Sequence, residues 1–227
     1  MLERTLDIPD AAERENLAAF VSRAVRLDPA AVVRIRRRDP DRLTVWCTTA
    51  GFEALAVRVV GGRAGQADTC VAADGLLRAL QDTADGQIDP GFSMDSAWRG
   101  SLPPEDGFVH VDDVPARELV DLSVQGAELA REHSTSVGPP KSLLDQEVVH
   151  VEGGGEAAAV PLRCVFALTA MGFIPGVTQN SSGRVDATRL DAAEPVRVRA
   201  TKNWLRLDAR YGSVFHRRAG GLALDVL

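Results

Sequence analysis

Lysine is almost missing from this chain: Lys141 and Lys202 are the only two among 227 residues, and the other 24 basic residues are arginine. A phosphate-binding loop needs a lysine behind its glycines, and neither lysine has that setting, so this nucleotide-binding class is excluded. With abundant Ala, Gly, Val and Asp, the arginine bias points to a GC-rich genome and so to a bacterium. Cysteine is also scarce. Cys47, Cys70 and Cys164 are widely separated and set among apolar residues, which fits reduced thiols filling core space better than a disulfide frame. No apolar run reaches the roughly 18 to 20 residues that span a bilayer. The first residues, MLERTLDIPDAAERE, hold no apolar signal core behind a basic start, so the expected location is the cytoplasm.

The motifs of common chemistries are missing too. His110, His133, His150 and His216 lack both i, i+4 pairing and Cys-x-x-Cys companions, the spacings that hold zinc. Gly61, Gly62 and Gly65 do not form the glycine fingerprint of a dinucleotide site, and no serine sits in a Gly-x-Ser-x-Gly elbow. Around Asp82, Asp85 and Asp89 a calcium loop fails in register, because its bidentate carboxylate position falls on Phe92. No metal and no cofactor is expected, and the reading leans away from an enzyme. A small-molecule enzyme or sensor is the second alternative, carried only by sites that folding would assemble.

What is present is an average globular composition, 45% hydrophobic and 26% charged. The net charge of −6 is unevenly spread: residues 1 to 138 carry 15 basic and 23 acidic groups, whereas residues 139 to 227 carry 11 and 9. Asp10 with Glu13 opens an amphipathic helix through Leu17, Phe20, Val21, Ala24 and Val25. Alternating strands follow, with Val33 and Ile35, then Leu43, Val45 and Cys47, then Leu55, Val57 and Val59 assigned to one buried face. Arg36, Arg37 and Arg38 form a basic cluster that reads as a solvated strand face, with a phosphate or acidic-partner site as its functional alternative. Gly, Pro, Asp and Ser crowd residues 84 to 107, which places a domain boundary between residues 97 and 98 and leaves Trp98 to pin the loop.

In the second part, three helices are expected, behind Pro115, behind Pro140 with Leu144, Val148 and Val151 on one side, and from Pro161. Glycine-rich links are expected at residues 152–156 and 179–183. Strands VRVRAT, NWLRLDAR and SVFHRR follow, then a short LALDVL piece. The fold class is therefore α+β: residues 1–97 form a helix packed on an antiparallel meander, and residues 98–227 form three helices plus an antiparallel sheet in winged-helix-like order. The third helix lacks the polar face that a DNA reader needs, since Leu162 to Ile174 offers only Arg163 and Thr169. It is assigned to the interior.

The function expected is a non-catalytic binding or scaffolding protein that self-associates, with Trp98, Phe166, Met171 and Phe173 as interface residues. The alternative is a nucleic-acid-binding regulator using a basic hairpin of Arg197, Arg199, Lys202, Trp204, Arg206 and Arg210, residues that would contact either nucleic acid or an acidic partner. At AWRGSLPP, VPLRCVFALTAMGFIP and VRVRATKNWLRLDARYGSVFHRR the chain resembles conserved hypothetical proteins of high-GC Gram-positive bacteria, from about Trp98 to the C-terminus. That resemblance implies a source and a cytoplasmic setting, and no catalytic or binding residues.

Overall fold

The Asp10 carboxylate accepts the backbone N–H groups of Ala12 at 2.8 Å and Glu13 at 3.4 Å, satisfying donors that a helix start leaves orphaned. Glu13 does not close the box; it accepts the N–H of Gly61 at 3.2 Å and so ties the helix to a strand. The computed structural model describes residues 5–133, 139–180 and 184–218. Strand β1 (Leu6–Asp7) leads into α1 (Ala11–Leu27), which buries Leu17, Phe20, Val21 and Ala24. The meander β2 (Val32–Asp39), β3 (Arg42–Thr49) and β4 (Ala54–Gly61) follows, then β5 (Arg63–Ala64), β6 (Asp68–Ala72), α2 (Ala73–Asp82) and β7 (Gln87–Ile88).

Beyond a single 3-10 turn at Asp95–Ala97, β8 (Val109–Pro115) enters α3 (Ala116–His133). Pro115 closes the strand instead of opening the helix, and the N–H of Ala116 donates to the Glu194 carbonyl at 2.8 Å. Next come α4 (Lys141–Leu144), β9 (Glu147–Gly153), β10 (Glu156–Pro161), α5 (Leu162–Ala170), β11 (Thr178–Gln179) and β12 (Val185–Asp186). The described chain ends with β13 (Pro195–Ala200), β14 (Trp204–Ala209) and β15 (Gly212–Arg217). LALDVL lies outside the described residues.

Eight strands form one antiparallel sheet in the order β6-β2-β3-β4-β15-β14-β13-β8. Its middle seam is β4 against β15, with Leu55, Ala56 and Val57 opposite Phe215, Val214 and Ser213. One face carries the helices, α1 packed on α2 and α3 on α5. The main core lies between them and draws residues from both sides of position 97, from Leu17, Val45 and Leu76 to Leu119, Phe173 and Leu207. All nine residues of α5 are buried, as its apolar circumference requires. Gly126 permits this crossing, because a Cβ there would stand 2.8 Å from Leu162 Cδ2 and 3.0 Å from Phe166 Cζ.

The winged-helix-like order is wrong. After the single turn of α4, residues assigned to a second helix form the β9–β10 hairpin, and the supposed flexible link is its turn. Gly154 and Gly155 take φ values of 61° and 81°, the left-handed pair that a two-residue hairpin connection demands. A large antiparallel sheet with few helices replaces three helices and a wing. The side assigned to β4 is also reversed. Ala54, Ala56 and Val60 face the helices, whereas Val57 belongs to a second cluster on the far face and Val59 is 39% exposed.

Candidate partner-binding face

The sheet face away from the helices is built by alternation along the strands. Trp46 on β3 stands opposite Val57, which stands opposite Ser213; Phe215 lies opposite Arg206, and Arg206 opposite Arg199. Trp46, Val57, Trp204 and Phe215 form a buried aromatic cluster, covered by Leu55, Trp98, Leu102 and Phe108. Trp46 and Phe215 approach to 5.3 Å between ring centroids, and Phe108 meets Phe215 edge-on at 5.6 Å. The Arg206 guanidinium lies over both phenyl rings, 5.7 Å from Phe108 and 5.3 Å from Phe215.

Residues 101–107 cross this face as a strap whose backbone makes no hydrogen bond among the described residues. Side chains hold it, together with one ion pair from Glu105 to Arg36 at 3.4 Å. Beside the strap lies a cavity of about 340 Å³ whose walls include Arg36, Arg38, Trp46, Val59, Pro104 and Phe215. The indole Nε1 of Trp46 is buried and has no acceptor among the described residues.

The strands carry the basic hairpin residues as expected, but acids engage most of them. Arg197 stands 4.0 Å from Asp113, Arg199 is 3.1 Å from Asp208, and Arg206 donates to Asp208 at 2.7 Å. Arg210 grips Glu194 with two hydrogen bonds at 3.1 and 2.6 Å, which holds its pKa above the ordinary guanidinium value. Lys202 is exposed in the β13–β14 turn. Trp204 is buried beneath Arg217, whose guanidinium is 6.0 Å from its ring.

Of the residues assigned to an interface, Met171 and Phe173 have no exposed surface, and Phe173 stacks on Phe20 at 6.1 Å. Phe166 is 8% exposed and packs on Phe52. Trp98 alone lies at the outer face, with Arg34 5.8 Å above its ring and its Nε1 donating to the Gly100 carbonyl at 3.1 Å. Sequence reasoning missed Trp46, Phe108 and Phe215 as members of this face. The parity of Trp46, one step out of phase with buried Val45 and Cys47, was the available signal.

Among the described residues, no three His, Cys, Asp or Glu side chains are grouped to hold a metal. No described helix is long and apolar enough to cross a membrane. Residues 103–221 match a domain of unknown function, DUF8185, and residues 1–100 match another, DUF8010. The chain belongs to the DUF8185 family. No curated protein matches it.

Solved structures resemble this member of the family in fold. A putative DNA polymerase III beta subunit from Eubacterium rectale superposes with a TM-score of 0.59 at 12% identity, over 94% of this chain and 64% of that one. The DNA polymerase sliding clamp of Caulobacter crescentus gives 0.55 at 14% identity, over 97% and 67%. That of Bacillus subtilis gives 0.52 at 10% identity, over 94% and 64%. The DUF8185 chain thus spans about two thirds of the length of these proteins. The likeness fixes the architecture as clamp-like and removes the winged-helix assignment.

Proposed function

We propose that this protein is a non-catalytic scaffold that self-associates and docks partner proteins on its outer sheet face. The fold likeness to DNA polymerase sliding clamps, which runs through 94% of the chain across the β4–β15 seam, carries this reading. Location in the cytoplasm and a division at residues 97 and 98 belong to the same proposal.

Charge supports protein partners over nucleic acid. Helices α1, α2 and α3 together carry six arginines and eight acidic residues, so the helical face would not attract phosphate. On the opposite face the hairpin arginines are largely neutralised by Asp113 and Asp208. The motive for self-association that an uncovered α5 would supply is absent, because its own chain covers it. Phe92, 85% exposed near the β6 edge, offers apolar surface instead, with Met94 at 37% beside it.

Sedimentation velocity over a wide concentration range tests the proposal, with labelled random duplex at low and moderate salt as its second arm. A concentration-dependent dimer or larger species, with no duplex binding at moderate salt, is the expected result. A monomer throughout, or tight duplex binding that survives moderate salt, overturns it.

A further inference from the structure

We propose that the cavity beside the strap is a docking site for an acidic, extended segment of a partner polypeptide. The inference deepens the scaffold reading and rests on it, by giving the docking face one pocket and one partner chemistry. The lining carries it, and a second observation is consistent with it. Arg36, Arg38 and Arg206 meet an apolar floor of Trp46, Val57 and Phe215 in about 340 Å³, the low end of the range for small-ligand sites, ~300 to 1,000 Å³. Such a space admits one or two side chains of an extended chain rather than a duplex.

The second observation is the Trp46 Nε1, a buried donor left without an acceptor among the described residues. Buried indole N–H groups normally find a partner. Trp46 lines the cavity, but this nitrogen is covered, so a partner's carbonyl or carboxylate would reach it only by displacing the side chains above it.

The chain itself shows the chemistry that this face accepts. Pro103 and Pro104 lie along the cavity wall, and the next residue, Glu105, reaches Arg36. Glu105 is 79% exposed, so this internal contact is weakly held and open to exchange. Arg38 is exposed and has no ion pair among the described residues. Phosphate polymers fit less well, because Asp68, Glu105, Asp106 and Asp208 are interleaved with the arginines and would repel a continuous backbone charge. A peptide bearing one or two carboxylates can meet Arg38, which no acid engages among the described residues, and compete with Glu105 for Arg36, without the continuous charge that these acids repel.

The test uses the full chain and a labelled peptide with the sequence of residues 101–108, Ser-Leu-Pro-Pro-Glu-Asp-Gly-Phe, beside an analogue with Gln and Asn in place of its acids. All three tryptophans belong to this face, so intrinsic fluorescence reports occupancy beside anisotropy of the label. The acidic peptide is expected to bind saturably, more weakly as salt rises, and at least about tenfold more tightly than the neutral analogue, as charge-assisted hydrogen bonds allow. Arg36→Gln with Arg38→Gln should abolish binding without altering sedimentation. Glu105→Gln with Asp106→Asn, which removes the internal competitor, should tighten it by about twofold to fivefold, the scale of an exposed ion pair.

Equal affinity for the neutral analogue overturns the proposal, as does absence of binding to both the wild type and the Glu105→Gln, Asp106→Asn variant. A single-stranded oligonucleotide that displaces the peptide at moderate salt also overturns it and assigns the groove to phosphate. Loss of self-association in the arginine double variant would assign the face to a second copy, again against the proposal. A monomer that still binds the acidic peptide would sink the self-association reading and leave this one standing.

Discussion

Arg163 is the most deeply buried charge among the described residues, and removing its partners should hurt more than removing Arg163 itself. The side chain is 1% exposed, yet it joins three separate segments. One terminal nitrogen donates to the Phe52 carbonyl at 3.1 Å and to the Glu53 carboxylate at 2.8 Å; the other meets the Asp145 carboxylate. The acids are 64% and 52% exposed, so they recover hydration readily if the cation disappears. The guanidinium cannot. It already carries a buried Nε with no acceptor among the described residues, a standing cost of about 1–3 kcal/mol.

Replacing Arg163 with Met therefore loses the clasp but relieves a desolvated cation, for a net loss of about 1–2 kcal/mol. Glu53→Gln with Asp145→Asn strands the cation and should cost about 3 kcal/mol, the low end for a broken buried pair because the acids are half exposed. Glu53 adds a further reason for care: it holds φ at 51°, a conformation that costs a non-glycine residue about 1–2 kcal/mol. The clasp helps retain that turn. Urea unfolding, with midpoint and slope compared across wild type and both variants, reads the order directly. If Arg163→Met proves more destabilised than the double acid variant, the reasoning from asymmetric exposure is refuted.

Burial pushes the Cys47 thiol up to about 12 and the Cys70 thiol to about 11, and raises Cys164 as well. Iodoacetamide at pH 8 should leave all three unmodified in native protein and label them once urea unfolds it; rapid native labelling would contradict their place in the core. The His216 pKa is lowered from 6.5, first by burial, with Nδ1 3.4 Å from the Glu53 carbonyl. Its unfolded form binds the proton more readily, so its stabilising contribution is full above about pH 6.5 and is lost as pH falls towards the folded value. His216→Gln should flatten the urea midpoint between about pH 5 and 7. Gly153→Ala would put a Cβ 2.1 Å from the Val111 carbonyl oxygen and should cost about 3 kcal/mol. Gly155→Ala, with open space but φ at 81°, should cost about 1–2 kcal/mol. Thermal or urea denaturation of the pair checks that order.

Local chemistry was legible in the chain where one signal dominated. Asp10 fixed the start of α1, the alternation in VVRIRRRD and VRVRAT marked strands, and the nearly all-apolar surface of α5, interrupted by Arg163 and Thr169, marked an interior helix. Periodicity failed where two readings shared a pattern. Leu144, Val148 and Val151 satisfy helical spacing, but Gly154 and Gly155 close a hairpin, and their left-handed φ values decide the matter. On β4, Leu55, Val57 and Val59 alternate correctly with Ala54, Ala56 and Val60, and both sets are apolar, so alternation gave no direction. The strand's outer side is apolar because Trp46 and Phe215 lie beside it. That neighbourhood is created by the β4–β15 seam between residues about 160 positions apart, which no local pattern encodes. Within the hairpin, Asp208 beside Arg206 is legible as a local ion pair, whereas Asp113, which faces Arg197, comes from β8, far away in sequence, and Glu194 rather than Asp208 takes Arg210.

The covered edges of the large sheet argue for the mode of association. At the β6 edge, the Met94 N–H donates to the Cys70 carbonyl at 2.7 Å and the Asp95 carboxylate accepts the Cys70 N–H at 2.7 Å. At the β8 edge the glycine tip of the β9–β10 hairpin presses on the strand so closely that a Cβ on Gly153 would collide with the Val111 oxygen, and one on Gly154 would stand 2.7 Å from the His110 oxygen. The β6 end thus spends backbone groups on its own chain and the β8 end is sterically covered by the hairpin tip, the protection expected of strands that must not template further pairing. Joining copies strand to strand would require breaking these contacts before any new bond forms. Side chains outside the ladder, such as Phe92 beside the β6 edge, need no such opening. Phe92→Ser should therefore weaken any self-association seen in sedimentation while leaving the urea midpoint unchanged, because an 85% exposed ring contributes little to the fold. Unaltered association in that variant, with the Asp95→Ala variant associating more strongly, would instead favour strand-to-strand joining and refute this order of ease.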